Sequence, residues 1–542
     1  MSKINNSKFH IKLPLLLAIA ISAGMLIGAT MANTSTSNTI ISSVLKFREV
    51  LTYIEKDYVD TVNSEELVEM AINTMLEKLD PHSVYIPAKD LKLANSQLEG
   101  EFDGIGIEFS IIKDTIHVVA PLSGGPSERV GLMSGDKIIK VDDKTVAGVG
   151  ISNREVFEKL RGPKGSEVTL GIKRRGVSEI NSFKIIRDKI PQHSVEVSYM
   201  INKEVGYIKV SRFSATTYEE FQQALTNLKS QGMNKLVLDL QGNPGGYLGA
   251  AFNMADELIS GNKMIVYTDG KDSQYDTEYR ARKNGVFEDG PVIVLIDEGS
   301  ASASEIVAGA LQDNDRGLIV GRRSFGKGLV QMPIDLSDGS ELRLTISRYY
   351  TPSGRSIQKP YKSGSDPDYK TDILHRYEHG ELFSADSIKF NDSLKFETSK
   401  GRVVYGGGGI MPDFFVPIDT SHNSEYFRNL FSNNIVKEYS LNYLELNKKD
   451  LQKMNLDQFL TNFEVSNSML NDMVKLAERS EVPFNEKEFA ISKNAIMLHV
   501  KAQLARTLYG NEGFYKVFNQ SNEVLKKGLE MFKQAEELAI AN

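Results

Sequence analysis

Short apolar runs alternate with segments of helical apolar spacing through the middle of this chain. The runs are short and nearly free of polar residues, so we expect strands buried on both faces; they are Tyr207–Val210, Leu236–Leu240, Val292–Ile296 and Leu318–Val320. The segments between them are expected to be helices; they are 216–228, 248–259 and 306–311. This alternation predicts an α/β fold with a mainly parallel or mixed sheet covered by helices.

Helical regions are predicted on both sides of this α/β part. Residues 34–95 carry apolar side chains at near-helical spacing, and a turn at Asp80-Pro81-His82-Ser83 closes the segment. Beyond about residue 420 two apolar stripes are evident, the first stopped by Gly510; they are Ile496, Val500, Leu504 and Leu508, and then Leu525, Leu529, Phe532 and Leu538. We expect both stripes to pack against the α/β body, with a dimer or partner surface as the alternative.

Residues 96–187 follow a different pattern. Ile105–Ile111 alternates as a strand, the chain turns at Lys113-Asp114, and Ile116–Val119 returns. The pair Gly131-Leu132 and the run Gly135-Asp136-Lys137-Ile138 follow. This combination resembles a PDZ domain.

The PDZ resemblance implies a peptide-binding loop at Phe102–Ile107, whose central residues are Gly104, Ile105, Gly106 and Ile107. Such a loop presents consecutive backbone N–H groups to a terminal carboxylate, and the peptide adds as a strand. We expect an apolar final residue to be preferred, because Ile105, Ile107 and Phe109 would line its pocket.

The composition is that of an ordinary globular protein, with 41% hydrophobic and 25% charged residues. A chain of 542 residues is larger than one core usually holds, so several domains are expected. The net charge of −7 argues against a nucleic-acid partner. Cysteine is absent from the sequence, which excludes disulfides, a thiol nucleophile and a cysteine-ligated metal.

Near the N-terminus, Lys3, Lys8 and Lys12 precede an uncharged run, Leu13–Ala32. Its length of about 20 residues is enough to cross a bilayer and exceeds that of an ordinary signal-peptide core. We therefore expect a membrane anchor within residues 11–32, in preference to a cleaved signal peptide ending at Ala32. In either case the bulk of the chain would be exported to the periplasmic side of a bacterial envelope.

The strongest candidate for chemistry is a serine at a predicted helix start. Ser302 is followed three residues later by Glu305 and opens the apolar segment 306–311. A helix N-terminus offers free N–H groups and a positive dipole end, which stabilise the oxyanion of an acyl-transfer reaction. Lys327 would be the base if burial keeps it neutral, with Gln331 orienting it.

Local pattern leaves other interpretations of these residues open. Ser302 and Glu305 also match a capping box with no catalytic role. Ser300 and Ser304 compete with Ser302 for the role of nucleophile, and spacing does not choose among the three. Lys327 also fits a solvated loop.

Two other motifs are rejected. Gly321-x4-Gly326-Lys327 is nearly a phosphate-binding loop, but Gly328 stands where a Mg²⁺-binding Ser or Thr is needed, and no helix pattern follows. His375-x-x-Glu378-His379 matches a zinc pattern, but no third ligand is evident and the flanks lack a long helix pattern. We predict no metal and no cofactor.

Ser302-Ala303-Ser304-Glu305, Phe325-Gly326-Lys327-Gly328 and Gln331 resemble the signature of the carboxy-terminal processing (tail-specific) serine proteases. Further similar pieces bring the resemblance to roughly residues 45–415; they are Asp239–Gly246, Tyr350–Arg355 and Tyr405–Asp413. The resemblance implies a crotonase-like spiral core, with Ser302 as nucleophile, Lys327 as general base and Gln331 positioning the lysine.

The remaining part of the expected site is an oxyanion hole. We expect its donors to be the amide of Ala303 and those of Gly245 and Gly246, although a sharp turn accounts for both glycines equally well.

Five regions are expected: a membrane anchor or signal segment, a helical region, a PDZ domain, a serine protease core and a helical C-terminal region, at 1–33, 34–95, 96–187, 188–420 and 421–542. The expected function is that of an envelope serine endopeptidase that binds the free C-terminal tails of protein or peptide substrates through its PDZ domain. The alternative is a catalytically silent PDZ scaffold, which the presence of Ser302, Lys327 and Gln331 disfavours. Natural substrates, oligomeric state and any adaptor stay open.

Overall fold

The structure, a computed structural model, describes residues 18–24, 34–122, 124–282, 284–362 and 366–540. The chain forms two compact units, 1–75 and 76–542. The first unit contains a helical segment at 18–24, helix α1 (Thr34–Asp57) and the start of helix α2 (Ser64–Glu77). Most of the predicted anchor, 11–32, lies outside the described residues. Among those that are described, no helix is long and apolar enough to cross a membrane.

The second unit begins with strand β1 (Val84–Ile86) and helix α3 (Ala88–Glu99), which runs across the predicted boundary at residue 95. A small β domain follows, made of β2 (Glu101–Gly104), β3 (Ile107–Ile112), β4 (Thr115–Pro121), α4 (Pro126–Arg129), β5 (Lys137–Val141), β6 (Lys144–Thr145), α5 (Asn153–Leu160), β7 (Glu167–Lys173), β8 (Ile180–Ile186) and β9 (Asp188–Pro191).

This β domain is the predicted PDZ domain. Its antiparallel sheet has the order β3-β4-β5-β7-β8, with β6 beside β5, so β3 lies at an edge. Alternate residues of β7 are buried, as expected of a strand with one face on a core. Helix α5 begins with a capping box between Ser152 and Glu155 and closes that core with Val156 and Leu160.

The next region contains most strands of the two large sheets of the predicted protease core and a small two-stranded sheet. Its elements are β10 (Val195–Met200), β11 (Val205–Val210), α6 (Thr217–Ser230), β12 (Lys235–Asp239), α7 (Leu248–Asp256), β13 (Met264–Gly270), β14 (Thr277–Arg280), β15 (Val292–Ile296), α8 (Ala303–Asp313), β16 (Gly317–Gly321), β17 (Leu329–Asp335), β18 (Glu341–Tyr350), α9 (Pro367–Glu378), β19 (Lys395–Glu397), β20 (Val403–Tyr405) and β21 (Phe414–Phe415). Helix α9 was not predicted, because the segment around it is polar and looked like a surface excursion.

The first of these sheets has the order β10-β11-β12-β15-β16-β21. Strand β10 is antiparallel to β11, and every other pair is parallel. All residues of β15 are buried, because helices cover both faces of the sheet. The α/β class and the predicted alternation are thereby confirmed.

The second sheet is antiparallel and has the order β1-β18-β13-β14, with β17 on the other side of β18. The loop that carries Lys327 leads directly into β17. Gln331 on β17 lies opposite Thr345 on β18. The pairing of β17 with β18 therefore fixes where the C-terminal end of the lysine loop lies on the sheet.

The C-terminal region is helical, as predicted. Its helices are α10 (Glu425–Ser432), α11 (Ile435–Leu451), α12 (Leu456–Asn462), α13 (Asn467–Arg479), α14 (Glu486–Phe518), α15 (Glu523–Glu530) and α16 (Phe532–Ile540). Gly510 interrupts α14 with a non-helical backbone at φ 69°, where the sequence predicted a helix stop.

The two apolar stripes of this region have different partners. Leu525 and Phe532 pack on the face of the parallel sheet formed by Val237, Ile293 and Leu295, which confirms the expected contact with the α/β body. For the other stripe the expectation is wrong. Ile496, Val500 and Leu504 lie on α14 and are buried in a separate core that α14 forms with helices α10, α11, α12 and α13.

Ion pairs connect the PDZ domain with these C-terminal helices. Lys113 pairs with Glu438 at 3.2 Å and Arg175 with Glu445 at 3.1 Å. Glu108, on edge strand β3, approaches Arg506 at 3.4 Å and Lys437 at 3.8 Å. Both ends of the PDZ sheet are therefore tied to the C-terminal region by charge.

Candidate active site

Ser302 lies at the N-terminus of helix α8, just after the carboxyl end of strand β15. Its backbone has φ 55° and ψ −112°, a conformation that residues other than glycine rarely adopt. Such strain costs about 1–3 kcal/mol and persists only where the surroundings impose it. Here the Glu305 carboxylate accepts the Ser302 N–H at 2.7 Å, and the Tyr349 hydroxyl donates to the Ser302 carbonyl at 3.1 Å.

The structure distinguishes the three serines that spacing left equivalent. The Ser300 hydroxyl is buried and donates to the Leu240 carbonyl at 2.8 Å. The Ser304 hydroxyl is buried too and donates to the Asn243 carbonyl at 2.9 Å. Ser302 is half-buried, and within the described part of the chain its hydroxyl donates no hydrogen bond. Ser302 is thus the serine whose hydroxyl is available for chemistry.

Glu305 connects the serine with the lysine loop. One carboxylate oxygen accepts the N–H groups of Ser302 and Lys327, at 2.7 and 2.9 Å. The other accepts the Ser324 hydroxyl at 2.6 Å and the Gly326 N–H at 2.7 Å. The capping interpretation therefore holds as well, because the Glu305 carboxylate accepts the Ser302 N–H and the Ser302 side-chain oxygen faces the Glu305 N–H in a capping box.

Burial dominates the electrostatics of Glu305. The side chain is fully buried, and this raises its pKa from 4.5 to about 7, although the hydrogen bonds from Ser324, Lys327, Ser302 and Gly326 favour the charged form.

Lys327 is half-buried beside this carboxylate. Burial lowers the pKa of Lys327 from its ordinary value; the charges of Glu305 and Asp80 oppose this shift, and that of Arg343 adds to it. Among the described residues Nζ has no hydrogen-bond partner, so it is not bonded to the Ser302 hydroxyl. The Tyr349 hydroxyl contacts the carbonyls of both Ser302 and Lys327 and holds the two backbones side by side.

Gly245 and Ala303 are in contact at the predicted oxyanion hole. A Cβ on Gly245 would lie 2.8 Å from the Ser302 Cβ and 2.9 Å from the Ala303 nitrogen. The Gly245 N–H already donates to the Asn243 side chain at 2.9 Å, whereas no partner of the Ala303 and Gly246 N–H groups is found in the described residues. Of the three predicted donors, those without a partner are thus the N–H groups of Ala303 and Gly246. The missing side chain of Gly245 lets its backbone approach Ser302 and Ala303 closely.

Gln331 is hydrogen-bonded to Thr345 rather than to the lysine. Its side-chain NH₂ donates to the Thr345 hydroxyl at 3.1 Å. No hydrogen bond from Gln331 to Lys327 is found within the described ranges.

The predicted peptide-binding loop lies between β2 and β3. Ser127 and Leu122 donate to the carbonyls of Ile105 and Gly106, and no partner of the Ile105 and Gly106 N–H groups is found among the described residues. Ile105 is only 2% exposed and belongs to the PDZ core, so it does not line an open pocket as expected.

Aromatic side chains line the space beside this loop instead. Phe109 packs edge-on against Phe157 of α5 at 5.6 Å between ring centres. The Arg161 guanidinium lies 4.4 Å from the centre of the Phe102 ring, next to a cavity of about 390 Å³.

No group of three or more side chains suited to a metal ion is present in the described residues. His375 and His379 lie at the end of helix α9, where the His379 ring contacts the His375 carbonyl at 2.6 Å.

Sequence reasoning missed three contributors to the site. Glu305 was noted only as a cap, although its carboxylate also orders the lysine loop. No functional role was predicted for Tyr349 or Asn243. Tyr349 could not have been found by spacing, whereas Asn243 stands within the glycine-rich run that was singled out.

Comparison with known proteins gives four family matches. Residues 204–371 match peptidase family S41, 104–185 match a PDZ domain, and 24–90 match the N-terminal domain of the activating protease CtpB. Residues 426–510 match a family of unknown function.

Individual relatives cover most of the chain. A carboxy-terminal-processing protease of Bartonella bacilliformis is 37% identical over 344 residues, which are 63% of this chain and 78% of the relative. The carboxy-terminal processing protease CtpB of Bacillus subtilis is 35% identical over 368 residues, 66% of this chain and 72% of the relative. The solved photosystem II D1 C-terminal processing protease is 34% identical over 60% of this chain and 85% of that chain, with a TM-score of 0.34.

Proposed function

The chain belongs to the carboxy-terminal-processing proteases, which are serine proteases of peptidase family S41, and we propose that it cleaves peptide bonds with a dyad of Ser302 and Lys327. The observation that carries this proposal is the shared carboxylate of Glu305, which accepts the backbone N–H groups of both residues. This carboxylate connects a serine at a helix N-terminus, whose hydroxyl donates no hydrogen bond in the described residues, with a half-buried lysine.

The proposed reaction begins with neutral Lys327, whose amine takes the proton of the Ser302 hydroxyl as the oxygen attacks the substrate carbonyl. Burial favours this neutral form by lowering the pKa of Lys327. The N–H groups of Ala303 and Gly246 then stabilise the oxyanion. The lysine returns its proton to the leaving amine, and a water activated by the same amine releases the acyl group.

We also propose that the PDZ domain recognises substrate tails. Strand β3 lies at the edge of its sheet, so a peptide can add there as a further strand. The N–H groups of Ile105 and Gly106 are suited to the terminal carboxylate, because charge-assisted hydrogen bonds are about twice as strong as neutral ones.

For the location we propose the periplasmic side of the bacterial envelope, with the N-terminal segment as anchor or signal. The support is the position of Lys3, Lys8 and Lys12 before the uncharged run Leu13–Ala32. Fractionation of cells that express the full chain tests it, and recovery in the cytosol would contradict it.

The test of the dyad uses purified protein and an unstructured substrate such as casein. Ser302→Ala and Lys327→Arg should both be inactive yet folded, since arginine does not deprotonate in a protein. Ser300→Ala and Ser304→Ala are the matched controls and should keep at least part of the activity. Turnover by Ser302→Ala at the wild-type rate would show that the nucleophile is assigned wrongly.

A further inference from the structure

A short turn from the N-terminal side of the chain reaches the lysine site. Residues 80–83 precede strand β1, which pairs with β18. Asp80 is only 6% exposed, and its carboxylate accepts the N–H groups of His82 and Ser83 at 2.8 and 2.9 Å and the Ser83 hydroxyl at 2.6 Å. These bonds hold the turn, and one further donor comes from outside it.

That donor is the hydroxyl of Thr345, which lies 3.1 Å from the Asp80 carboxylate. The same hydroxyl oxygen accepts the side-chain NH₂ of Gln331 at 3.1 Å, across the β17–β18 ladder. Asp80, Thr345 and Gln331 thus form one chain of hydrogen bonds.

The direction of this chain follows from the bonding capacity of each group. An ionised carboxylate only accepts, so the single hydrogen of the Thr345 hydroxyl is used on Asp80. Towards Gln331 the hydroxyl oxygen is then left only as an acceptor. Gln331 must present its NH₂ to Thr345, so its carbonyl oxygen does not bond to Thr345 and is left for another donor.

We propose that Asp80 and Thr345 are positioning residues of the protease: they hold the Gln331 amide so that its carbonyl is free to accept an N–H of Lys327 when the dyad forms, a bond that the described residues do not yet make. A neutral lysine amine held in this way directs its lone pair at the Ser302 hydroxyl. The inference rests on the proposed dyad and adds to it two residues that lie outside the serine and lysine motifs.

The charge of Asp80 gives a second, independent readout. The titratable and charged groups near Lys327 are Glu305 on α8, Arg343 and Tyr349 on β18, and Asp80 and His82 on the turn. Burial, with the Lys327 charge, lowers the pKa of His82 to about 4, so His82 is neutral near pH 7. Asp80 is the charged group of the turn, and it raises the pKa of Lys327.

The experiment measures kcat, KM and the pH profile of the full chain for Thr345→Val and Thr345→Ser. Removing the hydroxyl should lower kcat about tenfold with little change in KM, because one hydrogen bond that orients the base is lost. The serine variant keeps a hydroxyl and should restore most of kcat.

The charge is tested with Asp80→Asn. This variant should lower kcat and also move the acid limb of the pH profile to lower pH, since removing a nearby negative charge lowers the pKa of Lys327. If the turn served only to support the fold, Asp80→Asn would move the acid limb of the pH profile in the opposite direction. Its loosening would let water reach Lys327, raise its pKa and move the limb to higher pH.

The matched control is Asp338→Asn. Asp338 accepts the N–H and hydroxyl of Ser340 in a similar turn between β17 and β18, and its substitution should leave kcat and the pH profile unchanged.

Wild-type kcat in Thr345→Val, or an acid limb of Asp80→Asn that stays or moves to higher pH, would overturn the inference. If Asp80→Asn does not fold, the two Thr345 variants decide. Active Ser302→Ala or Lys327→Arg would instead refute the dyad itself, so the two failures are distinguishable.

Discussion

Replacing Glu305 by glutamine tests whether one carboxylate holds the nucleophile and the base together. Glutamine keeps one acceptor oxygen and turns the other into an NH₂ donor. In one orientation the NH₂ opposes the N–H groups of Ser302 and Lys327, which now bond at 2.7 and 2.9 Å, and in the other it opposes the N–H of Gly326. At least one backbone donor beside the dyad therefore loses its acceptor in either orientation.

The effect on activity follows from that loss. A buried donor left without an acceptor costs about 1–3 kcal/mol. If the serine or the lysine loop shifts to relieve it, kcat should fall about ten- to a hundredfold, since 1.36 kcal/mol corresponds to a factor of ten.

The effect on stability has a distinct dependence on pH. Burial raises the pKa of Glu305 from 4.5 to about 7, so the folded state binds this proton more tightly than the unfolded state does. That contribution to stability is complete below about pH 4.5 and is lost as pH rises through about 7. It amounts to about 3 kcal/mol, and glutamine, which does not titrate, should not lose it.

The assay combines casein turnover with urea unfolding at about pH 5 and about pH 8. Relative to wild type, the glutamine variant should gain about 2.5 kcal/mol of unfolding free energy between the two pH values, because part of the contribution is already lost at about pH 5, while remaining the poorer catalyst. Glu278→Gln, at an exposed position on β14, is the control and should match wild type at both. Unchanged kcat in Glu305→Gln, or a stability difference independent of pH, would refute the reasoning.

Three further outcomes are expected. Activity should rise with pH as Lys327 loses its proton, and burial should hold the apparent pKa below the ordinary value of about 10.4. A rate that is flat from about pH 6 to about pH 10 would exclude the lysine from the mechanism. Gly245→Ala should lower kcat by about tenfold or more, because its Cβ would lie 2.8 Å from that of Ser302; wild-type kcat would show that this close approach is not needed. Amidating the C-terminus of a substrate should raise KM, because the charge offered to the Ile105 and Gly106 N–H groups is gone, and equal efficiency on free and amidated tails would count against tail recognition.

The order of strands and helices could be predicted because it depends on local periodicity. The unbroken apolar run of β15 and the alternation in the PDZ domain each reflect which faces of a strand are buried. Periodicity shows that a helix face is apolar but not what covers it. The stripe at Ile496, Val500 and Leu504 was for this reason assigned to the wrong core.

The site was predicted where its residues lie close together in sequence. Ser302 and Lys327 come from such motifs, but the choice of Ser302 over Ser300 and Ser304 rested on resemblance. Their different burial and bonding appear only once β12 and α8 are packed. Thr345 contacts Asp80 across 265 positions of the chain, a separation over which single-sequence patterns carry no information.

Helices α15 and α16, which cover one face of the parallel sheet, decide where this protein can be shortened. A chain that ended near residue 420 would leave Val237, Ile293 and Leu295 in contact with water, although none of these side chains is exposed now. Each fully buried aliphatic side chain contributes about 1.5–3 kcal/mol, and a typical domain has only about 5–15 kcal/mol of net stability. Trimming the chain for expression or crystallisation should therefore keep both helices, since their loss would expose an apolar face of the sheet, and large exposed apolar patches promote aggregation.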